Sequence, residues 1–150
     1  MFGLIPMVIT IILAGLITAA VAYLGGDIFT ESSISAKANT FVNEGSQLRS
    51  AAQLFRVNEA AWPAAISDLT NTIPGPSYMS SEPSNTYTFD ATGIVSATST
   101  DNTDDLTADI CNKIQDAAVG NETPVTGSAP IAGQLFGCYD NGGVFTFFHK

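Results

Sequence analysis

The chain has 150 residues and a formal net charge of −9, from 14 acids against 5 Lys and Arg. Such a surface repels phosphates and argues against a nucleic-acid partner. The charge is segregated: Asp27 is the first charged residue, and the part beyond it, on the order of 120 residues, suffices for one compact domain.

Residues 1–24 read MFGLIPMVITIILAGLITAAVAYL, with no charged side chain. As a helix this run is roughly 36 Å long at 1.5 Å per residue, enough to cross a bilayer core. No Lys or Arg precedes it, which fits either an already processed end or an unusual anchor. Gly3 and Pro6 sit near the start, where missing amide donors cost least. Gly15 lies mid-span among Ala14, Ala19, Ala20 and Ala22, and small residues let helices approach closely in lipid. Gly25 and Gly26 close the block. Each weakens a helix by about 1 kcal/mol relative to Ala, so a kink or melted turn is expected there.

From Ile34 onward Ala38, Phe41, Gly45, Leu48, Ala52 and Phe55 recur at alternating spacings of four and three, an apolar stripe on one helix face. Val42, Leu54 and Val57 broaden it, while Lys37, Glu44, Arg49 and Arg56 fall outside it. The stripe suits either packing on the chain's own sheet or a coiled coil. Pro63 forbids continuation, so the helix ends between Glu59 and Trp62.

The passage out of the helix, Asn58-Glu-Ala-Ala-Trp-Pro-Ala-Ala-Ile-Ser-Asp-Leu69, together with the uncharged run that leads into an amphipathic half, resembles bacterial type IV pilins and pseudopilins. The likeness covers the first 70 residues or so. Met1 and the cysteine-bearing C-terminal region are similar to the type IVb branch. The resemblance implies a processed and N-methylated Met1, cut by a prepilin peptidase. It also implies a helical homopolymer with the apolar helices bundled at its centre, built by a pilus assembly machinery. The core-packing positions would be Phe2, Leu4, Ile5, Ile9, Ile12, Leu13, Gly15, Leu16, Ala19, Ala20 and Tyr23. Such a subunit waits in the inner membrane and ends in an extracellular pilus at the cell surface. One departure matters: the family usually has a glutamate where Ile5 stands, and no other acid precedes Asp27. Pro6 is closer to the start of archaeal pilins.

Ala64 to Leu69 can form a short helical turn, followed by a loop rich in Pro, Gly and Ser. Runs 86–90 and 93–98 read as a β-hairpin around Ala91-Thr92-Gly93. Thr103 or Asn102 is placed to cap a second helix starting near Asp104, with Leu106, Ile110, Ile114 and Ala117 or Ala118 facing inward and Gly120-Asn121 ending it. Residues 122–130 read as loop. Strands are expected at 135–138 and 143–148, with 139–143 as the turn. Cys111 and Cys138 are an even pair in an exported-looking chain. They read as one disulfide, contributing roughly 3–4 kcal/mol, or as two reduced core thiols. The expected fold is α+β: an apolar helix over 1–26, its amphipathic continuation over 27–62, and a head over 63–150 with a small antiparallel sheet on that continuation.

Catalytic machinery is not evident. The single histidine, His149, reads as a solvent-exposed terminal residue, and no Ser/His/Asp set, phosphate-binding loop or paired Cys motif occurs. No cofactor and no enzymatic activity are expected. Asp101, Asp104, Asp105 and Asp109 could offer oxygens to calcium, although acids at a helix start are more often a solvated cap. Asn121-Glu122-Thr123 matches the N-glycosylation pattern. The reading is a structural filament subunit. Its rivals are a minor pilin or secretion pseudopilin acting at a tip or piston, and a membrane-anchored binding module that never polymerises.

Overall fold

A computed structural model describes residues 4–70, 77–103, 105–121, 123–127 and 129–150, without the side chains of 4–10, 17, 20–28 and 125. It divides into two units, Met1–Ile34 and Ser35–Lys150. Helix α1, Leu4–Glu59, belongs to both. It runs unbroken through Gly25 and Gly26. The melted turn expected there is therefore not present: the cost of two glycines, about 2 kcal/mol together, falls below that of breaking a cooperative hydrogen-bond ladder on both sides. The helix stops where expected. Ala60 takes a left-handed φ of 56°, the usual device for turning a chain out of a helix, and Trp62-Pro63 follows.

In the second unit the stripe of α1 is the buried face. Ala38, Phe41, Leu48, Ala51 and Ala52 are at most 5 % exposed, and Phe55 is half-buried. Packing on the chain's own sheet is thus the use made of it. Leu54 and Val57 do not broaden this face; they are 57 % and 81 % exposed. The steps of 100° per residue carry both away from the Leu48–Ala52–Phe55 direction, and the head covers one side only.

The sheet has five strands in the order β1-β2-β5-β4-β3. Strands β1 (Thr88–Phe89) and β2 (Val95–Thr98) form the expected hairpin. Strand β2 pairs antiparallel with β5 (Val144–His149), and β5 with β4 (Phe136–Asn141). The last hairpin is tighter than expected. Tyr139, Asp140 and Asn141 are paired in β4, and Gly142-Gly143 alone makes the turn, with φ of 66° and 90°. Two consecutive positive-φ residues give the turn twist that matches paired strands. Strand β3, Val125–Thr126, pairs parallel with β4 inside the expected loop. The antiparallel group is therefore the expected four strands, with a short parallel fifth at one edge.

Helix α2, Ser67–Thr70, is the short turn after Pro63. Its Asp68 carboxylate accepts from the backbone N–H groups of Ala64 and Ala65. Helix α3, Ala108–Val119, starts four residues later than expected. Asn102 does not cap it. The Asn102 side chain is buried and bridges strands instead, accepting from Thr86 N and donating to the carbonyls of Thr86 and Thr98. Thr107 is the N-cap residue, with no side-chain cap bond, and Gly120 closes the helix at φ 70°. Ile110, Cys111, Ile114 and Gln115 form the inner face; Ala117 is exposed. The Cys111–Cys138 disulfide joins α3 to β4 across a Cα separation of 5.4 Å.

Gly45 marks a place where backbone must come close, and Gly15 does not. A Cβ on Gly45 would lie 2.7 Å from the ring of Phe147, and one on Gly15 would meet nothing within 4 Å. Gly45→Ala should destabilise the head by about 1–3 kcal/mol, the cost of overpacking, while Gly15→Ala leaves it unchanged. Thermal unfolding of the two variants in detergent compares them directly.

Candidate functional site

The first candidate is the surface of α1 in the N-terminal unit. All of residues 11–16, with Thr18 and Ala19, are exposed. Ile11, Ile12, Leu13 and Leu16 are between 53 % and 66 % exposed. Six consecutive helix positions point in every direction around the axis, so no side of this stretch is covered by its own chain. Among the expected packing residues, Ile12, Leu13, Gly15, Leu16 and Ala19 are thus on bare helix. For Leu4, Ile5, Ile9, Ala20 and Tyr23 only the helical backbone is described, and Met1 and Phe2 lie outside the described residues. Among the described residues no helix is long and apolar enough to cross a membrane. The expected span rests mainly on residues whose side chains lie outside that description.

The second candidate is the set of polar groups that hold α1 to the head. Glu44, outside the apolar stripe, is its centre. Its carboxylate accepts from Ser84 N (2.9 Å), Ser84 Oγ (2.6 Å), Asn85 Nδ2 (2.9 Å) and Tyr87 OH (2.9 Å). Partial burial raises the Glu44 pKa, but these four donors outweigh it and hold the group below the ordinary 4.5. Burial, then the adjacent Glu44 charge, pushes the Tyr87 hydroxyl well up, so it remains a donor. One turn on, Arg49 donates to the carbonyls of Thr92 and Gly93 and lies 4.6 Å from the centroid of Trp62. Arg56 lies 4.5 Å from the same ring. Gly93, at φ 78°, leaves no room for a Cβ against Trp62. The helix exit and the first hairpin are therefore locked by stacking and two carbonyl bonds.

A cleft of about 360 Å³ between α1 and residues 78–81 is lined by Ser46, Ser50, Leu54, Tyr78 and others, with no carboxylate, imidazole or thiol. Among the described residues no three acids, histidines or cysteines are placed to share a metal. Of the acids weighed for calcium, Asp105 pairs with Lys37 at 2.7 Å and Asp101 accepts from Thr98. Asp109 sits in the first turn of α3, and Asp104 lies outside the described residues. The Asn121 side-chain oxygen accepts from Thr123 N and Oγ1, both at 3.1 Å.

His149 is not a free terminal residue. Pairing with Val95 and Phe136 brings it into the sheet. It is half-buried, stacked on Phe136 at 6.1 Å, and its buried Nδ1 has no hydrogen-bond partner. Burial lowers its pKa, and nearby Arg49 lowers it further. Local sequence offered no sign of this or of the Glu44 network, because Val95 pairs with His149 from far back in the chain and the Glu44 partners lie about 40 residues away along it. Comparison with protein-family models, curated proteins and solved structures returns no match.

Both lowered pKa values make stability fall in acid: the donors around Glu44 stabilise its carboxylate, while burial penalises the charged form of His149. The Glu44 contribution is present above pH 4.5 and is lost as pH falls through its depressed folded value. The His149 contribution is present above 6.5 and is lost as pH falls below it. Glu44→Gln should flatten the stability curve below pH 4.5, and His149→Phe should flatten it just below 6.5. Denaturant melts across pH 3–8 measure both slopes; unchanged slopes contradict the assignment.

Proposed function

We propose that this chain is a structural subunit, a pilin of the type IVb-like kind, that polymerises into an extracellular filament through its apolar N-terminal helix. The observation that carries this reading is the contrast within α1. One half has one face packed under a disulfide-closed head; the other is apolar and bare on every side over residues 11–16. A helix that is apolar all round needs lipid or other helices around it. Before assembly the inner membrane supplies lipid, and in the filament the same segments of neighbouring copies replace it.

Moving this helix from lipid into a bundle gains little hydrophobic free energy, because lipid tails are as apolar as leucine. Association then depends on close van der Waals packing, which the small residues around Gly15 favour. Ile5 removes the charge pairing expected of the family, so the core is held by packing alone. The head carries the acidic surface and whatever the filament meets outside. A prepilin peptidase and an assembly machinery are the partners this reading requires, and no cofactor is needed.

Three outcomes separate the readings when sheared surface material is examined by negative-stain microscopy and N-terminal mass spectrometry. Filaments dominated by this chain, with a methylated Met1, support the proposal. Trace amounts within other filaments indicate a tip or piston subunit, and a detergent-soluble monomer with an unmodified Met1 overturns polymerisation. Within filaments, Gly15→Arg should abolish assembly, since a charge in an apolar bundle is left unpaired at a cost of several kcal/mol. Wild-type filament yield from that variant contradicts a buried helix bundle.

A further inference from the structure

We propose that Asn141 and Gly142 are a self-modifying pair: the Gly142 backbone nitrogen attacks the Asn141 side chain and converts it, with water as the only other reactant, to isoaspartate and aspartate. The inference stands on the last hairpin alone and does not depend on the filament reading. Asn141 ends strand β4, and its side chain is exposed. No other asparagine of the sequence precedes a glycine. A Cβ at position 142 would crowd the approach of that nitrogen to the preceding side chain, and glycine has none. The turn leaves both groups free to react. Gly142 and Gly143 take φ of 66° and 90°, and the Gly143 N–H donates to Asp140 Oδ1 at 2.7 Å. Among the described residues no hydrogen bond takes up the Gly142 N–H or the Asn141 side-chain amide. Nucleophile and electrophile are thus adjacent, exposed and uncommitted.

The step balances without any other reagent. Gly142 nitrogen gives up its proton and bonds to Asn141 Cγ. The Cγ–Nδ2 bond breaks, and the amide leaves as ammonia, carrying that proton. The cyclic imide that results is opened by water. Opening at Cγ restores the ordinary backbone with aspartate at this position. Opening at the backbone carbonyl gives isoaspartate, in which the main chain runs through Cγ and is longer by a carbon. Either product adds a negative charge beside Asp140, on a chain already at −9. Isoaspartate also lengthens the chain next to a tight turn, and so works against the Asn141–Val144 pair that closes it. Other asparagines of the head lack this combination. Asn102 is buried and bonded to Thr86 and Thr98. Asn121 is exposed, but Glu122 follows it and its Oδ1 is held by Thr123.

Ageing the full chain in detergent at pH 7 and at pH 9 tests the pair, with peptide mapping by mass spectrometry that separates asparagine, aspartate and isoaspartate. Asn141 should convert about tenfold faster than Asn121 in the same sample. Isoaspartate should accompany aspartate, and conversion should be faster at pH 9, where base removes the Gly142 proton more readily. On isoelectric focusing the wild type should gain a more acidic band with time. Asn141→Ser keeps both turn glycines but has no leaving amide, and should gain none. The same acidic band from that variant overturns the assignment to Asn141. Aspartate without isoaspartate means direct hydrolysis by water and overturns attack by Gly142. An Asn141 that stays intact in the folded chain and converts only in denaturant means that the hairpin protects it, which overturns the proposal as well.

Discussion

The approach of α1 to strand β5 at Gly45 is the constraint on which the head depends. With no side chain at that position, the ring of Phe147 can lie against the helix backbone. Phe41 and Tyr87 then close around the same ring at centroid distances of 5.9 and 6.3 Å. All three aromatic residues are at most 4 % exposed. Edge and tilted contacts of this kind each add about 0.5–1.5 kcal/mol beyond the area they bury. A helix standing further off would leave voids around Phe147 and separate Glu44 from its four donors.

Around that contact the polar groups specify geometry more than they add stability. Glu44 gathers donors from Ser84, Asn85 and Tyr87, and so fixes the loop that leads into β1. Asn102 ties the same loop to the end of β2. Gln115, 1 % exposed, accepts from the Cys138 N–H at 3.1 Å. Strand β3 pairs with Tyr139 and Asp140 but not Cys138, so a side-chain amide completes the edge where the strand is too short. Asn102 and Gln115 are buried, and each would cost about 1–3 kcal/mol if left without a partner.

Much of the fold was legible because its signals are local. The stripe from Ala38 to Ala52, the stop at Trp62-Pro63, the first hairpin and the closure at Gly120 each follow from a few neighbouring residues. The disulfide followed from the even pair of cysteines. What was not legible depends on distant partners. Nothing near Asn102 shows that it joins Thr86 to Thr98 instead of capping α3. Nothing near His149 shows that the last strand reaches it. A two-residue strand such as β3 has no periodicity to read. Gly25-Gly26 misled for another reason, since intrinsic propensity was weighed without the helix continuing on both sides. The exposed apolar segment was conspicuous from the first residues, whereas the Glu44 network had no sequence signal at all.

The disulfide has one more effect on how the head can fail. Cys111 and Cys138 bracket the 122–130 segment, of whose described residues only the two of β3 join the sheet. A protease that cuts the backbone anywhere within that segment would leave the two fragments covalently joined through α3 and β4. Strands β2, β5 and β4 would keep their pairing, since none of them is interrupted. A nick there would remain invisible until the sample was reduced. That is tolerance of damage at a loop, obtained from a bond whose first role is to hold a helix against a strand.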